Sequence, residues 1–228
     1  MLDWSNGINK SFYRIFRAPK KNYMTISLEN VSKRYRFEWI LKKIDYQFSK
    51  GNAYAITGPN GSGKSTFLKI LSGHLTPSKG EIQYAFNNQK VSVDNVFKKL
   101  SFAGPYIDLI EEFTLWEAIE FHQKFKPALN GLQPQDLLDI LKFPKAKNKD
   151  VRHFSSGMKQ RLKLALALTS DTPLLFLDEP TTNLDRQGME WYQGLVEQFR
   201  GDRLTIVASN IEEDFHFCNE QISILDYK

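Results

Sequence analysis

"GPNGSGKST", residues 58–66, decides the fold, because it combines three glycines and a proline with no hydrophobic side chain. The apolar run "AYAIT" at 53–57 precedes this stretch and predicts a buried strand. The run "FLKIL" follows it, and the apolar periodicity there predicts a helix over 64–72. The sequence therefore predicts a strand, a loop of nearly bare backbone and a helix in succession.

The composition of this loop suits a phosphate group. Backbone N–H groups can surround a phosphate only where side chains leave room, and glycine also reaches positive φ angles. Gly58, Gly63, Lys64 and Ser65 complete the pattern G-x-x-x-x-G-K-[ST], which predicts a nucleoside triphosphate with Lys64 on its β- and γ-phosphates and Ser65 on Mg²⁺. The alternative is a chance glycine-rich turn. The predicted ligand-binding residues are Gly58, Pro59, Asn60, Gly61, Ser62, Gly63, Lys64, Ser65 and Thr66.

Two adjacent carboxylates end a second apolar run, "LLFLDEP" at 174–180. Ligands of open α/β sheets bind at the carboxyl ends of the strands, where Asp178 and Glu179 are expected to project. Asp178 is predicted to bind Mg²⁺, either directly or through one of its ligands, and Glu179 is predicted to polarise the water that attacks the γ-phosphate. Without the phosphate loop, the same pair of acids is typical of a solvated turn.

The remaining periodicity predicts an α/β fold with two kinds of sheet. Strand patterns occur at 25–31, 44–48, 53–57, 81–86, 100–103, 174–178, 204–209 and 222–225. Helical patterns occur at 64–72, 114–125, 134–142, 156–169, 185–199 and 211–217. Alternation of the two in the C-terminal half predicts a parallel sheet covered by helices. The early strands, joined by short turns, predict a smaller antiparallel sheet.

Composition narrows the class of protein. Hydrophobic residues make up 41% of the 228, which is ample for a packed core. The longest apolar runs, such as "LALAL" at 164–168, are far shorter than the roughly 20 residues of a membrane span. The N-terminus lacks the apolar region of a secretory signal, and Cys218 has no second cysteine to pair with. These features favour a reducing cytoplasm.

The net charge of +5 is unevenly distributed. Five basic residues and one acidic residue fall within 1–22, so the rest of the chain is nearly neutral and no nucleic-acid partner is expected. Residues 1–23 are predicted to form a basic amphipathic extension that could lie on an anionic membrane surface. A loosely packed extension, or an artefact of start-site choice ahead of Met24, explains the same pattern.

A third stretch, "FSSGMKQRLKLALAL" at 154–168, resembles the signature "LSGGQ" and following helix of the ATP-binding subunits of ABC transporters. The resemblance covers roughly 24–228, with its motifs in the family order. It implies a P-loop NTPase three-layer core with a parallel sheet, an N-terminal antiparallel β subdomain and an inserted α-helical subdomain at about 104–160. It also implies that two copies, identical or related, sandwich ATP between them.

Further residue roles follow from the resemblance. Ser155 and Gly157, at the start of the signature helix, are expected to contact the γ-phosphate bound by the opposite copy, and a helix start does attract anions. Without the family, this stretch is only a capped helix start. Tyr35 matches the aromatic residue that stacks on adenine, with an exposed ring on a sheet edge as the alternative. Asp185 in "TTNLDRQG" matches an aspartate at the dimer interface.

Four positions depart from the family pattern. After the strand "LTIVAS" the family has a histidine that contacts the γ-phosphate, where this chain has Asn210. An amide donates a hydrogen bond but carries no proton for transfer. After "LSFA" the family has a glutamine that touches Mg²⁺, where this chain has Pro105. The signature also carries Ser156 and Met158 in place of glycine and glutamine. Hydrolysis is therefore expected, but it is expected to be slow unless a partner completes the site.

The leading prediction is an ATP-binding and hydrolysing subunit, peripheral on the cytoplasmic face of a membrane, that drives separate permease subunits. The helical insert around 105–145 is the expected docking region for that partner. Two alternatives remain, a regulatory ATP-binding module with little activity and an ATPase that acts on nucleic acid or the ribosome. The histidines, His74, His122, His153 and His216, fall outside the motifs and are predicted to be structural or solvated.

Overall fold

The structure, a computed structural model, describes residues 24–228, so the predicted extension at 1–23 lies outside the described residues. The strands are β1 (Met24–Tyr35), β2 (Glu38–Ser49), β3 (Ala53–Thr57), β4 (Lys79–Phe86), β5 (Gln89–Val91), β6 (Leu100–Ala103), β7 (Leu174–Asp178), β8 (Leu204–Ala208) and β9 (Glu220–Ser223). The α-helices are α1 (Lys64–Leu71), α2 (Val93–Val96), α3 (Leu115–Phe125), α4 (Pro134–Leu141), α5 (Ser156–Thr169), α6 (Arg186–Phe199) and α7 (Glu212–Phe215).

The strands form two sheets. One is antiparallel, with the order β2-β1-β4-β5. The other is parallel, with the order β6-β7-β8-β3-β9. In the parallel sheet β3, β8 and β7 are neighbours, so the segments that follow these three strands meet at one edge. The predicted α/β fold, with a parallel sheet and an attached antiparallel one, is confirmed.

The parallel sheet is the middle of three layers. Alternate residues of β7 point to opposite faces, as in any strand. Leu174 and Phe176 enter a core shared with α1 and the antiparallel sheet. Leu175 and Leu177 enter the other core, against α5 and α6. All four are fully buried, and burial of each such side chain stabilises the fold by about 1.5–3 kcal/mol.

Some predicted bounds were wrong. β1 and β2 extend to Met24–Tyr35 and Glu38–Ser49, well beyond the predicted 25–31 and 44–48, because pairing between them continues past their apolar residues. The last strand is Glu220–Ser223 rather than 222–225, since pairing with β3 sets its position and a 3₁₀ turn, Ile224–Tyr227, follows. The predicted helix at 211–217 is only one turn, Glu212–Phe215.

Helices α3 and α4 lie between β6 and α5, within the predicted helical insert at 104–160. Thr114 caps the start of α3, where its hydroxyl accepts from the N–H of Glu117 and the Glu117 carboxylate accepts from the N–H of Thr114. Within residues 24–228, no helix has the length and apolar content needed to cross a bilayer.

Candidate functional site

The loop at 58–66 joins β3 to α1 and exposes its backbone at the sheet edge. Gly58, Gly61 and Gly63 all have positive φ angles, of 147°, 77° and 101°. At Gly63 a Cβ atom would lie only 2.8 Å from Cγ2 of Ile40, so a side chain is excluded there on two grounds. These glycines keep side chains away from the concave face, where backbone N–H groups can meet a phosphate.

Lys64 lies at the start of α1 and folds back along the loop. Its ammonium group donates hydrogen bonds to the carbonyl oxygens of Gly58, at 2.8 Å, and Pro59, at 3.2 Å. The side chain is 4% exposed, and no carboxylate lies within ion-pair distance of it among the described residues. A buried cation held only by carbonyl oxygens has unused capacity for an anion, which suits a triphosphate.

Asp178 ends β7 with a buried carboxylate. The side chain is fully buried, and neither carboxylate oxygen accepts a hydrogen bond from the described part of the chain. Burial raises the pKa of Asp178 to about 6, with a smaller rise from Glu179. The nearby Ser65 hydroxyl lowers the pKa of Asp178 and so offsets part of this rise, although it makes no hydrogen bond to either carboxylate oxygen. An unpaired buried acid beside a serine hydroxyl matches the oxygen ligands that Mg²⁺ prefers.

Glu179 follows directly and turns the chain away from the sheet. Its φ angle is 46°, which is left-handed and uncommon for a residue with a side chain. Its N–H donates to the carbonyl of Ala208 on the neighbouring strand, at 2.9 Å. This bond fixes the backbone at the sheet edge, beyond the buried Asp178. Glu179 is only partly buried, unlike Asp178.

Asn210 follows β8, the strand between β3 and β7. The preceding residue, Ser209, is buried and donates its N–H to the carbonyl of Ile56 on β3, at 3.2 Å. Asn210 itself is exposed. The loop at 58–66, the acids Asp178 and Glu179, and Asn210 therefore follow three adjacent parallel strands. The fold brings together the residues predicted for phosphate, metal and water.

The model of a family described as "ABC transporter" matches residues 41–182, which span the loop and both acids. The chain belongs to the ABC transporter family. It is 32% identical over 207 residues to the lantibiotic transport ATP-binding protein SrtF of Streptococcus pyogenes, an alignment that covers 89% of this chain and 84% of SrtF. It is 31% identical over 193 residues to ABC transporter I family member 1 of Arabidopsis thaliana, with 82% of each chain covered.

Solved structures of ABC proteins have the same fold. A dimeric structure of MJ0796, a bacterial ABC transporter cassette, superposes with a TM-score of 0.73 at 25% identity, covering 87% of this chain and 93% of that one. An ABC transporter ATP-binding protein of Pyrococcus furiosus superposes with a TM-score of 0.74 at 23% identity, covering 90% and 99%. As an ABC nucleotide-binding domain, this protein binds ATP, and membership of this ATPase family implies hydrolysis.

The ABC signature begins α5. Ser155 precedes the helix, and its hydroxyl accepts from the N–H of Met158 at 3.2 Å. Ser155 and Ser156 are exposed, so the start of this helix, where the first N–H groups have no partner within the helix, lies at the protein surface. Gly157 passes close to the turn after β7, since a Cβ atom there would lie 3.0 Å from the carbonyl oxygen of Asn183. The signature thus lies against the segment that follows Glu179.

Tyr35 and Asp185 occupy exposed positions. Tyr35 ends β1 with 48% of its surface exposed, and the Lys33 ammonium lies 5.4 Å from its ring centroid. Asp185 precedes α6, where its carboxylate accepts from the N–H of Gly188 at 2.7 Å. Asp185 therefore caps a helix whatever else it contacts.

Pro105 follows β6, the strand beside β7. A Cβ atom on the preceding Gly104 would lie 3.0 Å from Cβ of Asp178. The segment in which the family has glutamine therefore passes directly beside the predicted metal ligand, and it offers no polar side chain at position 105. The structure also brings two buried polar residues, Gln160 and Asp214, against the turn after Glu179. The sequence motifs did not single out either one.

Proposed function

We propose that this protein is the Mg²⁺-dependent ATP-hydrolysing subunit of an ABC transporter, peripheral on the cytoplasmic face of a membrane and coupled to separate transmembrane subunits. The observation that carries the proposal is the fully buried carboxylate of Asp178, which accepts no hydrogen bond from the described residues and lies at the end of the sheet where the phosphate-binding loop and Glu179 also follow their strands. A buried acid without a hydrogen bond costs stability, so its presence at this end of the sheet supports a role as a metal ligand.

Each residue has a distinct task in the proposed reaction. Loop N–H groups and the Lys64 ammonium hold the β- and γ-phosphates, while Tyr35 stacks on the adenine. Ser65 and Asp178 supply oxygen ligands for Mg²⁺, which when bound offsets negative charge on the phosphates. Glu179 accepts the proton of the attacking water, and Asn210 donates a hydrogen bond toward the γ-phosphate.

A second copy of the chain, or a related ATPase, completes the site. The exposed helix start at Ser155 and Gly157 offers N–H groups to an anion outside its own protomer. Asp185, at the start of α6, follows two residues after Asn183, whose carbonyl lies against Gly157. The dimeric state of the MJ0796 cassette supports the arrangement. We propose that ATP is bound between the loop of one copy and the signature of the other.

The proposed membrane partner binds an apolar groove between the helical insert and the core. The groove encloses about 540 Å³. Six of its residues are large hydrophobics with exposed surface, namely Phe97, Tyr106, Ile107, Ile110, Phe121 and Phe125. Phe125, at the end of α3, is 71% exposed. Such a cluster favours a protein contact over open solvent. An apolar segment of the permease subunit, on its cytoplasmic side, is the proposed occupant.

Phosphate release by purified protein tests the enzymatic part. Wild-type protein is expected to release γ-phosphate slowly in the presence of Mg²⁺, because Asn210 and Pro105 replace a proton-carrying and a polar side chain. Glu179→Gln is expected to lower the rate about 10²- to 10⁴-fold while ATP binding persists, and Lys64→Ala to weaken ATP binding. Equal rates for wild type and Glu179→Gln would remove Glu179 from the mechanism.

Retention on membranes tests the coupling. Protein purified from membranes is expected to retain an integral membrane protein, and Phe125→Glu to release it without loss of phosphate release by the soluble protein. Co-purification with ribosomes or DNA would contradict the transport role. ATP binding without Mg²⁺-dependent hydrolysis would instead favour a regulatory module, for which Asn210 and Pro105 are the supporting observations.

A further inference from the structure

The peptide bond between Pro180 and Thr181, immediately after Glu179, is held from both sides. We name this unit the 180–181 peptide. Its carbonyl oxygen, on Pro180, accepts from Nε2 of Gln160 at 2.8 Å. Its N–H, on Thr181, donates to the carboxylate of Asp214 at 3.2 Å. Gln160 is 6% exposed and Asp214 is fully buried, so both bonds form away from water.

Asp214 also reaches the segment that carries Asn210. Its second carboxylate oxygen accepts from the hydroxyl of Ser209 at 2.5 Å. The same hydroxyl oxygen accepts from the N–H of Ile211 at 3.0 Å. The two residues that flank Asn210 are therefore tied to the acid that holds the 180–181 peptide. The backbone carbonyl of Asp214 in turn accepts from the Tyr192 hydroxyl, at 2.8 Å, which anchors it to α6.

Gln160 connects the same peptide to the signature. It lies in α5, between one and two turns after Ser155. The left-handed backbone of Glu179 directly precedes the peptide, and such a conformation persists only where its surroundings fix it. The Glu179 N–H is bonded to Ala208, and Gln160 and Asp214 add to this fixation by holding the next peptide from α5 and from the segment after β8. A buried polar group left without its partner disfavours the folded arrangement, so the two bonds define one orientation of the peptide.

We propose that Gln160 and Asp214 are positioning residues that clamp the 180–181 peptide. The clamp holds Glu179 and Asn210 in the relative positions that hydrolysis requires. The proposal deepens the proposed function and rests on it. A shift of the α5 start on contact with a second copy passes to the backbone beside Glu179 through the bond from Gln160. The clamp thus links occupancy of the signature to the position of the general base.

The test compares kcat with ATP affinity in variants that break each side of the clamp. Gln160→Met keeps the side-chain length but leaves the Pro180 carbonyl without its donor. Asp214→Ala removes the acceptor for the Thr181 N–H. Each is expected to lower kcat about 10- to 100-fold and to leave the Kd of a fluorescent ATP analogue within about twofold, because the loop at 58–66 is untouched. Asp214→Asn retains an acceptor for Thr181 and is expected to restore most of kcat.

A matched control separates positioning from general stability. Gln123 in α3 makes a comparable bond, from Nε2 to the carbonyl of Leu132 at 3.2 Å, remote from the clamp in the sequence. Gln123→Met is expected to keep wild-type kcat even if its thermal midpoint falls as far as that of Gln160→Met. The double variant Gln160→Met with Asp214→Ala is expected to lose no more than the worse single variant, because both act on one peptide.

The outcomes distinguish failure of the clamp from failure of the proposed function on which it rests. Wild-type kcat in both single variants, with Glu179→Gln inactive, would overturn the clamp and leave the proposed function standing. Parallel loss of kcat and ATP binding in proportion to unfolded protein would also overturn it. Equal phosphate release by wild type and Glu179→Gln would remove the proposed function, and the clamp with it.

Discussion

Acidification is expected to destabilise this fold through His122, which ties α3 to the end of α5. Nε2 of His122 lies 2.9 Å from the hydroxyl oxygen of Ser170. That hydroxyl donates to the carbonyl of Leu166 at 2.6 Å, so the ring N–H is the donor in the bond to Ser170. Burial lowers the pKa of His122 from 6.5 to about 4, and Lys126 adds a smaller repulsion.

The size of the effect follows from proton uptake by the unfolded chain. Above pH 6.5 His122 is neutral in both states, and its contribution to stability is fully present. Between pH 6.5 and pH 4 the unfolded chain binds a proton that the folded chain does not. The free energy of unfolding therefore decreases as the pH is lowered through this range. The whole difference corresponds to about 3 kcal/mol, of which about 2 kcal/mol is lost between pH 7.5 and pH 5.

Urea denaturation at pH 7.5 and pH 5 measures this loss. Wild-type protein is expected to lose about 2 kcal/mol more than His122→Gln, which keeps a donor toward Ser170 but does not titrate. Other titrating groups cancel in this comparison. His153→Gln removes an exposed histidine and serves as the control. Equal losses in wild type and His122→Gln would show that the ring of His122 is not buried in its neutral form.

Other predictions concern the nucleotide site. Gly63→Ala should weaken ATP binding at least tenfold and lower the free energy of unfolding by about 1–3 kcal/mol, because φ is 101° and the new methyl group meets Ile40. Isothermal titration and denaturation measure the two effects. Asp178→Asn should abolish Mg²⁺-dependent phosphate release yet stabilise the metal-free protein at pH 7 by about 1–3 kcal/mol. The pKa of Asp178 is raised from 3.8 to about 6, so the unfolded chain loses this proton at a lower pH than the folded chain does. The free energy of unfolding of the wild type therefore decreases as the pH rises from 3.8 to about 6, and the variant avoids this loss. An unchanged free energy of unfolding would show that the ionised carboxylate of Asp178 is not buried at a cost. Asn210→His should raise kcat about tenfold or more; an unchanged rate would show that the amide is not what slows turnover.

The sequence predicted those elements best whose apolar residues are contiguous. β3 and β7 have the predicted bounds, 53–57 and 174–178, because central parallel strands are apolar on both faces. α5 also has its predicted bounds, Ser156–Thr169. The strands β1 and β2 are longer than predicted, since their outer residues are polar and pair only through contacts distant in sequence. β5 and α2 were missed because three or four mostly polar residues leave no periodic signal.

The residues of the site also differ in how far the sequence predicted them. The phosphate loop and the pair of acids were predicted from the sequence because each is a local pattern at a strand end. The clamp was not, since Gln160 and Asp214 meet one peptide from distant parts of the chain. One sequence signal for Gln160 was available, because it lies four positions before the buried Leu164 and therefore on the same face of the helix. Asp214 lies in "NIEEDFHF", where acids at neighbouring positions hide the one that is buried.

The central claim is that ATP is bound between the loop of one copy and the signature helix of another. The most direct test is the mass of Glu179→Gln in solution, measured by light scattering with and without Mg²⁺-ATP. The claim predicts a monomer without nucleotide and a dimer with saturating ATP, and return to a monomer on Ser155→Glu, which places a carboxylate at the helix start. A monomer at saturating ATP, with binding of the nucleotide verified in the same sample, would contradict it.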